Sequence, residues 1–484
     1  MPIKPRVPQG NLDSALPLCV DLDGTLVSTD LLIESFFALL KKDPWTFMKS
    51  PFWLFRGIAR FKEEIACRTE LDIAFLPFHR KFLDYLKEEH ARGRILILAT
   101  SSHRKFAQQV ADHLRLFSDV LATEGEINLT GKRKRESLDS RFGERGFDYA
   151  GNGKVDLEVW PSAEHAILVN PDPGVERKAA TFCRITHVFD DRKNTHLLYV
   201  KALRLHQWLK NLLLFLPLGL SHRLGERSLI GHSLAAFFAF GFCASSVYLL
   251  NDLLDLPSDR SHPTKRHRPF ASGRLPLLYG TLLIPLLLAL AVGVALLLPM
   301  SFLLVLAGYF AATLAYSVAL KKVVILDVLV LAALYTVRIL AGSAATGLTP
   351  SFWLLAFSLF FFLSLALIKR YSELLVMRRK GEVKAHGRGY HIEDFPVLTS
   401  LGGASGYLSV LVLALYLNSP EVQILYRHPA VLWLICPLIL YWISHMWLLT
   451  HRGNMHDDPV VFAATDRISL GIAVVSGVLL WMAI

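Results

Sequence analysis

Hydrophobic and polar positions divide the chain near residue 200. Beyond it, apolar residues run in nine long stretches, approximately 203–220, 229–250, 278–298, 302–320, 324–341, 352–368, 398–417, 431–449 and 468–484. A helix needs about 20 predominantly apolar residues to span a bilayer, so the pattern predicts an all-α bundle of nine transmembrane helices over 203–484. Before residue 190 the apolar runs are short. Leu18 to Val20 and the run RILILAT read as buried strands, whereas 31–90 reads as helical. The first half is therefore an α/β domain over 15–190, joined by a linker at 191–202 to the membrane half.

Composition agrees. Hydrophobic residues make up 53% of the chain and charged ones 19%, a balance foreign to soluble proteins. The net charge of +11 is concentrated in the apolar half: from Val200 onward 23 Lys and Arg face 13 Asp and Glu, against 29 and 28 before it. Charge placed beside membrane segments serves orientation and anionic ligands, so no nucleic-acid partner is expected. Loops after the second, fourth, sixth and eighth stretches carry Arg260, Lys265, Arg266, Arg268 and Arg274, then Lys321 and Lys322, then seven cations from Lys369 to Arg388, then Arg452 and Arg467. The opposite loops hold Arg223, Arg227 and Arg427. This asymmetry predicts a multi-pass protein of the cytoplasmic (inner) membrane with its N-terminus in the cytoplasm. The first residues show no apolar core of signal-peptide length, in keeping with a cytoplasmic front half. Five scattered cysteines without a CxxC pair suggest neither a disulfide framework nor a zinc site.

In LPLCVDLDGTLVSTD a strand ends in Asp21-Leu22-Asp23-Gly24-Thr25 and so sets two carboxylates at the C-terminal edge of a parallel sheet, where open α/β folds bind ligands. Asp21 suits a nucleophile at phosphorus and Asp23 an acid for the leaving oxygen. RILILAT delivers Thr100 to the same edge, FDYAGNGKVD delivers Asn152 and Asp156, and Lys134 between them can screen the anions. In this order the motifs resemble the haloacid dehalogenase superfamily of Mg²⁺-dependent phosphatases. That resemblance implies a Rossmannoid parallel sheet with residues 31–90 as a helical cap, catalytic Asp21, Asp23, Thr100 and Lys134, and Mg²⁺ held by Asp21, Asp23, Asn152 and Asp156. The family's fourth motif commonly begins Gly-Asp, and here Gly151-Asn152 stands in its place. An amide oxygen is a weaker Mg²⁺ ligand, and Asp156 can instead orient Lys134.

In the membrane half, NDLLDLPSDRSHPTKRHRPFASG sets Asp252, Asp255 and Asp259 at i, i+3 and i+7, one face of an uninterrupted helix, where three carboxylates can hold a divalent cation. Pro257 should kink or end that helix and leaves Asp259 the least secure of the three. With KALRLHQWLKN and YSVALKKVVILDVLVLAALYTVR, these motifs resemble the UbiA superfamily of intramembrane transferases over about 200–484. In that family the first motif holds Mg²⁺ against a diphosphate, which implies this role for Asn251, Asp252, Asp255 and Asp259. The second aspartate-rich motif departs from ordinary prenyltransferases, since Asp327 is followed four residues on by Leu331, and Arg338 lies at nearly the same helical angle further along.

This pattern is similar to the decaprenyl-phosphate phosphoribosyltransferase branch, whose substrates are phosphoribosyl diphosphate and a polyprenyl phosphate lipid. Such chemistry asks for cations on two further phosphates. Lys265, Arg266 and Arg268 suit the ribose 5-phosphate. Lys210, Arg338, Lys369 and Arg370 suit the lipid phosphate, and Lys322 and Asp327 complete the substrate-binding candidates. Asp457, Asp458 and Asp466 either line the same cavity or cap the last helix. His206, His262 and His267 have no metal-ligand spacing and read as ordinary polar residues. The implied product, once a phosphatase has removed the 5-phosphate, is polyprenyl-phosphoryl ribose. Two other readings stay open: a prenyltransferase acting on an aromatic or other acceptor, and a non-catalytic or transport protein with a degenerate phosphatase domain.

Overall fold

A computed structural model describes residues 16–191, 195–379, 389–455 and 458–484. Asp457 and the cations Lys380, Lys384 and Arg388 lie outside the described residues, as do the first fifteen. The strands are β1 (Leu18–Val20), β2 (Leu96–His103), β3 (Asp119–Thr123), β4 (Asp148–Gly151), β5 (His165–Val169) and β6 (Arg184–Phe189). Helices α1 (Leu31–Lys42), α2 (Pro44–Phe47), α3 (Ser50–Phe55), α4 (Ile58–Arg68) and α5 (Arg80–Ala91) lie between β1 and β2. Helices α6 (Arg104–Leu114), α7 (Lys132–Phe142), α8 (Val175–Ala179) and α9 (Thr195–Ala202) come after β2, the last occupying most of the stretch expected to be a linker.

The chain forms two compact units, and they do not divide simply at residue 202: Leu249–Leu282 belongs with Met1–Ala202, while Leu203–Tyr248 and Leu283–Ile484 form the second. In the first unit the six strands are parallel in the order β3-β2-β1-β4-β5-β6. Side chains alternate across a strand. Leu18, Val20, Leu96, Leu98, Ala150, Ile167 and Val169 accordingly enter one core, while Cys19, Ile97, Ala99, Tyr149, Ala166 and Leu168 enter the core on the opposite face. With β1 buried on both sides, the turn after Val20 is fixed at the sheet edge. The five cap helices leave from that edge, and Lys62 of α4 ties them back by donating to the Ser101 carbonyl at 2.6 Å.

Seven rather than nine helices are long and apolar enough to cross a membrane, counted over the described residues, and two of them, Arg227–Leu254 and Leu277–Ala295, are divided between the units. The first expected span, 203–220, is instead a 3-10 stretch, Leu205–Phe215, and a short helix, Leu216–Leu220, where Pro217 and Gly219 disfavour a longer one. The last, Arg467–Ala483, is a shorter apolar helix. Helix Leu326–Thr346 is central: its Leu334 and Ala341 enter one core, Ala332, Tyr335 and Ile339 a second, and Val328 a third. Gly342 lets this helix meet the 3-10 stretch, since a Cβ there would lie 2.0 Å from the Leu214 carbonyl oxygen.

Candidate functional site

The phosphatase-like site forms where β1 ends. Gly24 takes φ +77° and a Cβ on it would sit 2.5 Å from Asn152 Nδ2, so the turn that carries both aspartates requires glycine. Asp21 Oδ1 accepts from Lys134 Nζ at 2.8 Å. Asp23 Oδ1 accepts from the Leu31 amide at 2.8 Å, at the start of α1, and its Oδ2 accepts from Ser102 Oγ at 2.5 Å. Thr100 reaches that oxygen at 3.5 Å and receives the Ser102 amide at 3.0 Å. Ser102, two residues along the strand and on the same side, thus makes the contact expected of Thr100. Period-two spacing was the signal for it.

Asp156 is placed differently from the ligand role the resemblance implied. Its carboxylate accepts from Tyr149 Oη at 2.7 Å and from the amides of Asn152 and Gly153 at 3.0 and 2.9 Å. Tyr149 in turn receives a hydrogen bond from Lys134 at 2.9 Å. Asp156 therefore positions Lys134 through Tyr149 and shapes the loop that carries Asn152. Asn152 Oδ1 accepts from Thr25 Oγ1 at 3.1 Å, which holds the amide against the aspartate turn.

Burial pushes Asp21 up to about 6, Lys134 opposing this and Asp156 adding to it. Burial pushes Asp23 to about 7, with Asp30 adding to it and the Ser102 hydrogen bond opposing. Two adjacent buried carboxylates raised in this way are the electrostatic situation that a divalent cation relieves, so Asp21, Asp23 and the Asn152 amide fit one.

The second aspartate cluster lies in the same compact unit. Helix Arg227–Leu254 ends before Asp255, and a short helix, Leu256–Ser261, begins with Pro257 in its first turn. The break reverses the expected ranking of the three acids. Asp252 Oδ1 and Asp259 Oδ2 both accept from Nη1 of Arg268, at 3.2 and 2.5 Å. Asp255 instead pairs with Lys41 of α1 at 2.8 Å. Two carboxylate oxygens converging on one nitrogen can hold a single cation, so Asp252 and Asp259 fit a metal. Asn251 precedes Asp252 on helix Arg227–Leu254. Burial raises Asp259 above the usual carboxylate range, and Arg268 opposes this. Lys265 and Arg266 are exposed on the loop that carries Arg268. Among the described residues no three His, Cys, Asp or Glu side chains form a ready-made metal cluster. Asp252 and Asp259 converge on one nitrogen, and a bound substrate would supply further oxygens there.

The cap helix α1 also meets this loop through a contact absent from the sequence expectations. Arg260 Nη1 donates to Glu34 Oε1 and its Nη2 to Glu34 Oε2, with Thr29 Oγ1 donating to Glu34 Oε2 at 2.8 Å. Both side chains are buried. Glu34→Leu would leave the arginine uncompensated and is expected to cost about 3–5 kcal/mol. The midpoint of thermal unfolding of the purified protein should fall, and Glu34→Leu combined with Arg260→Leu should recover most of the loss.

In the second unit two cations, buried Lys210 and half-buried Lys369, pair with one carboxylate. Asp458 accepts from Lys210 at 2.6 Å, from Lys369 at 3.1 Å and from Tyr335 Oη at 3.1 Å. Burial acts to raise Asp458, but Lys369 and Lys210 outweigh it and hold the carboxyl well below the usual range. Arg338 donates to the neutral groups Asn211 Oδ1 and Tyr309 Oη, both at 3.2 Å, and to the Leu334 carbonyl. The rings of Phe240, Tyr309 and Tyr335 lie within 5.2–5.5 Å of its guanidinium carbon. Asn211 Nδ2 is buried without a hydrogen-bond partner. Excess buried positive charge together with an orphaned donor is a site prepared for an anion.

Arg370 and Asp327 are placed elsewhere, in a buried pair at 2.5 Å, with Tyr390 Oη donating to the other Asp327 oxygen. Arg370 also reaches Glu373 and Tyr316, so this network positions helices and leaves neither group for a ligand. Lys322 is exposed at the end of a 3-10 turn. Asn211, Tyr309 and Tyr335 are the members that the sequence reading did not name, whereas Asp458 takes the first of the two places expected for it. Asn211 adjoins Lys210, and Tyr335 precedes Arg338 by one helical turn, which were the available signals.

Known proteins agree with this division of labour. Residues 213–470 match the UbiA prenyltransferase family and residues 18–144 the haloacid dehalogenase-like hydrolases. The uncharacterized protein y4nM of Sinorhizobium fredii is 38% identical over 461 residues, 94% of this chain and 89% of its own length. Nodulation protein NoeC of Azorhizobium caulinodans is 39% identical over 275 residues, 56% of this chain and 88% of its own. The decaprenyl-phosphate phosphoribosyltransferase of Corynebacterium glutamicum is 36% identical over 187 residues, 38% of this chain and 56% of its own. The chain belongs to the UbiA prenyltransferase family and carries a haloacid dehalogenase-like domain at its N-terminal end.

Proposed function

We propose that this membrane protein transfers the 5-phosphoribosyl group of phosphoribosyl diphosphate to a polyprenyl phosphate, and that its N-terminal domain then removes the 5-phosphate to give polyprenyl-phosphoryl ribose. The observation that carries this reading is the anion site of Lys210, Lys369, Arg338 and Asn211. A prenyltransferase with a second metal motif would need Asp327 free, whereas Arg370 neutralises it. The likeness to decaprenyl-phosphate phosphoribosyltransferases supports the same substrates.

In the transfer a lipid phosphate oxygen attacks C1 of the ribose, and the bond from C1 to the diphosphate oxygen breaks. Lys210, Lys369 and Arg338 hold the lipid phosphate, while Asp458 keeps the two lysines in place. Asp252 and Asp259 would hold Mg²⁺, which when bound neutralises the leaving diphosphate. Arg268, released from the two acids, then faces a phosphate, with Lys265 and Arg266 beside it on the loop. In the hydrolysis the Asp21 carboxylate attacks the 5-phosphate phosphorus and Asp23 gives its proton to the departing ribose oxygen. Burial raises Asp23 to about 7, so that about half of it carries the proton for that step at neutral pH. Water then attacks the phosphoaspartate, Asp23 takes the proton, and phosphate leaves. Lys134, held through Tyr149 and Asp156, keeps Asp21 in its attacking position. The Lys and Arg asymmetry of the loops supports the cytoplasmic side of the inner membrane for both reactions.

The test is to supply protein-containing membranes with ribose-labelled phosphoribosyl diphosphate, polyprenyl phosphate and Mg²⁺, and to follow label into the organic phase. Absence of lipid-borne label, with turnover of a prenyl diphosphate and an aromatic acceptor instead, would replace this reading with the prenyltransferase one. Lys369→Ala should raise KM for the polyprenyl phosphate by about 10–100-fold, the worth of a charge-assisted hydrogen bond, and leave KM for phosphoribosyl diphosphate unchanged.

A further inference from the structure

The cap helices between β1 and β2 present apolar side chains on two sides. Inward, Leu39, Trp53 and Ile65 are buried together with Phe36, Phe47 and Phe61 packed against them, and the Arg68 guanidinium lies 5.0 Å from the Trp53 ring centroid. Outward, Trp45 is 81% exposed, Met48 66%, Phe52 70%, Phe55 88% and Ile58 48%. The inner residues account for the fold of the cap, and the outer ones have no part in it. Pro44 and Pro51 each sit in the first turn of a short helix, α2 and α3, and split the segment into two pieces that turn these rings outward.

Charge over the same segment is one-sided. No aspartate or glutamate occurs from Pro44 to Lys62, while Lys49 and Arg56 are exposed among the rings and the exposed Arg60 pairs with Glu64 at 2.5 Å. Large exposed apolar side chains gathered in one segment mark a surface that is covered in use. Tryptophan and phenylalanine interleaved with lysine and arginine are suited to the headgroup region of a bilayer, where the rings meet the acyl boundary and the cations meet anionic lipid. A bilayer is also at hand. The same compact unit includes Leu249–Leu254 and Leu277–Leu282, the ends of two membrane-spanning helices, so its own chain enters the membrane twice.

We propose that residues 44–60 of the cap form a membrane-interface anchor, with Trp45, Met48, Phe52, Phe55 and Ile58 inserted among headgroups and Lys49 and Arg56 paired with anionic lipid. The anchor stands whichever substrate the membrane half transfers. It fixes the cap at the surface where a lipid-borne phosphate ester resides, and the phosphatase-like site beneath the cap meets substrate without extraction from the bilayer.

The experiment uses the full chain in nanodiscs, with the exposed Cys67 replaced by serine and one environment-sensitive fluorophore attached through Phe55→Cys or, as control, Ile95→Cys. Ile95 is exposed at the N-terminal end of β2, at the sheet edge opposite the cap. The Phe55 probe should emit to the blue of the control and be quenched several-fold more strongly by headgroup-proximal doxyl lipid. That quenching should grow with phosphatidylglycerol content and fall on Lys49→Glu with Arg56→Glu. Quenching of the Phe55 probe no stronger than the control would overturn the proposal. A blue shift without doxyl quenching would overturn it too, because a protein surface would then be the cover.

Discussion

Replacing Asp252 by asparagine is expected to lower transfer of label from phosphoribosyl diphosphate into lipid by about 10²–10³-fold, the usual cost of removing one group that stabilises developing charge. Asp252 and Asp259 place an oxygen each within 3.2 and 2.5 Å of the same Arg268 nitrogen, so loss of either carboxylate halves the charge available to a cation there. Asp255→Asn should cost far less, because Asp255 pairs with Lys41. Initial rates in membranes of matched protein content distinguish the two. Equal losses for Asp252→Asn and Asp255→Asn would mean that all three acids act on one ion.

Asp21→Asn is expected to abolish release of inorganic phosphate from the lipid product by at least about 10³-fold while leaving the transfer rate within a factor of about two, because loss of a nucleophile removes a whole pathway. Lipid-borne label should then accumulate with its 5-phosphate intact, which acid release and chromatography of the sugar phosphate would show. An asparagine at Asp21 keeps the shape of the turn and an acceptor for Lys134, so the variant should fold. If the dephosphorylated product still formed, the N-terminal domain would act on some other substrate.

Much of this chemistry was legible because local residue types determine it. A strand buried on both faces followed by DxDGT can only present its acids at the sheet edge, and the acid-rich segment at the end of an apolar helix is too costly to be incidental. The exchange of roles between Asp255 and Asp259 was not legible. It depends on how far Pro257 turns the chain, which helical spacing alone does not specify. Nor was the pairing of Arg370 with Asp327, since residues 43 apart meet only after two helices pack. The count of spans failed at its first member because hydropathy records whether a stretch tolerates lipid, while Pro217 and Gly219 decide whether it continues as a helix; the last, Arg467–Ala483, is continuous but shorter than the others.

The Glu34–Arg260 pair has a bearing on how the gene could be divided. The sequence invites a cut at residue 202 to obtain a free-standing transferase, yet Arg260 adjoins Asp259 and finds its counter-charge in the cap of the N-terminal domain. A fragment beginning there would leave Arg260, beside Asp259, without its carboxylate partner. The two domains meet in sequence near residue 202, but the aspartate loop rests on the cap of the first.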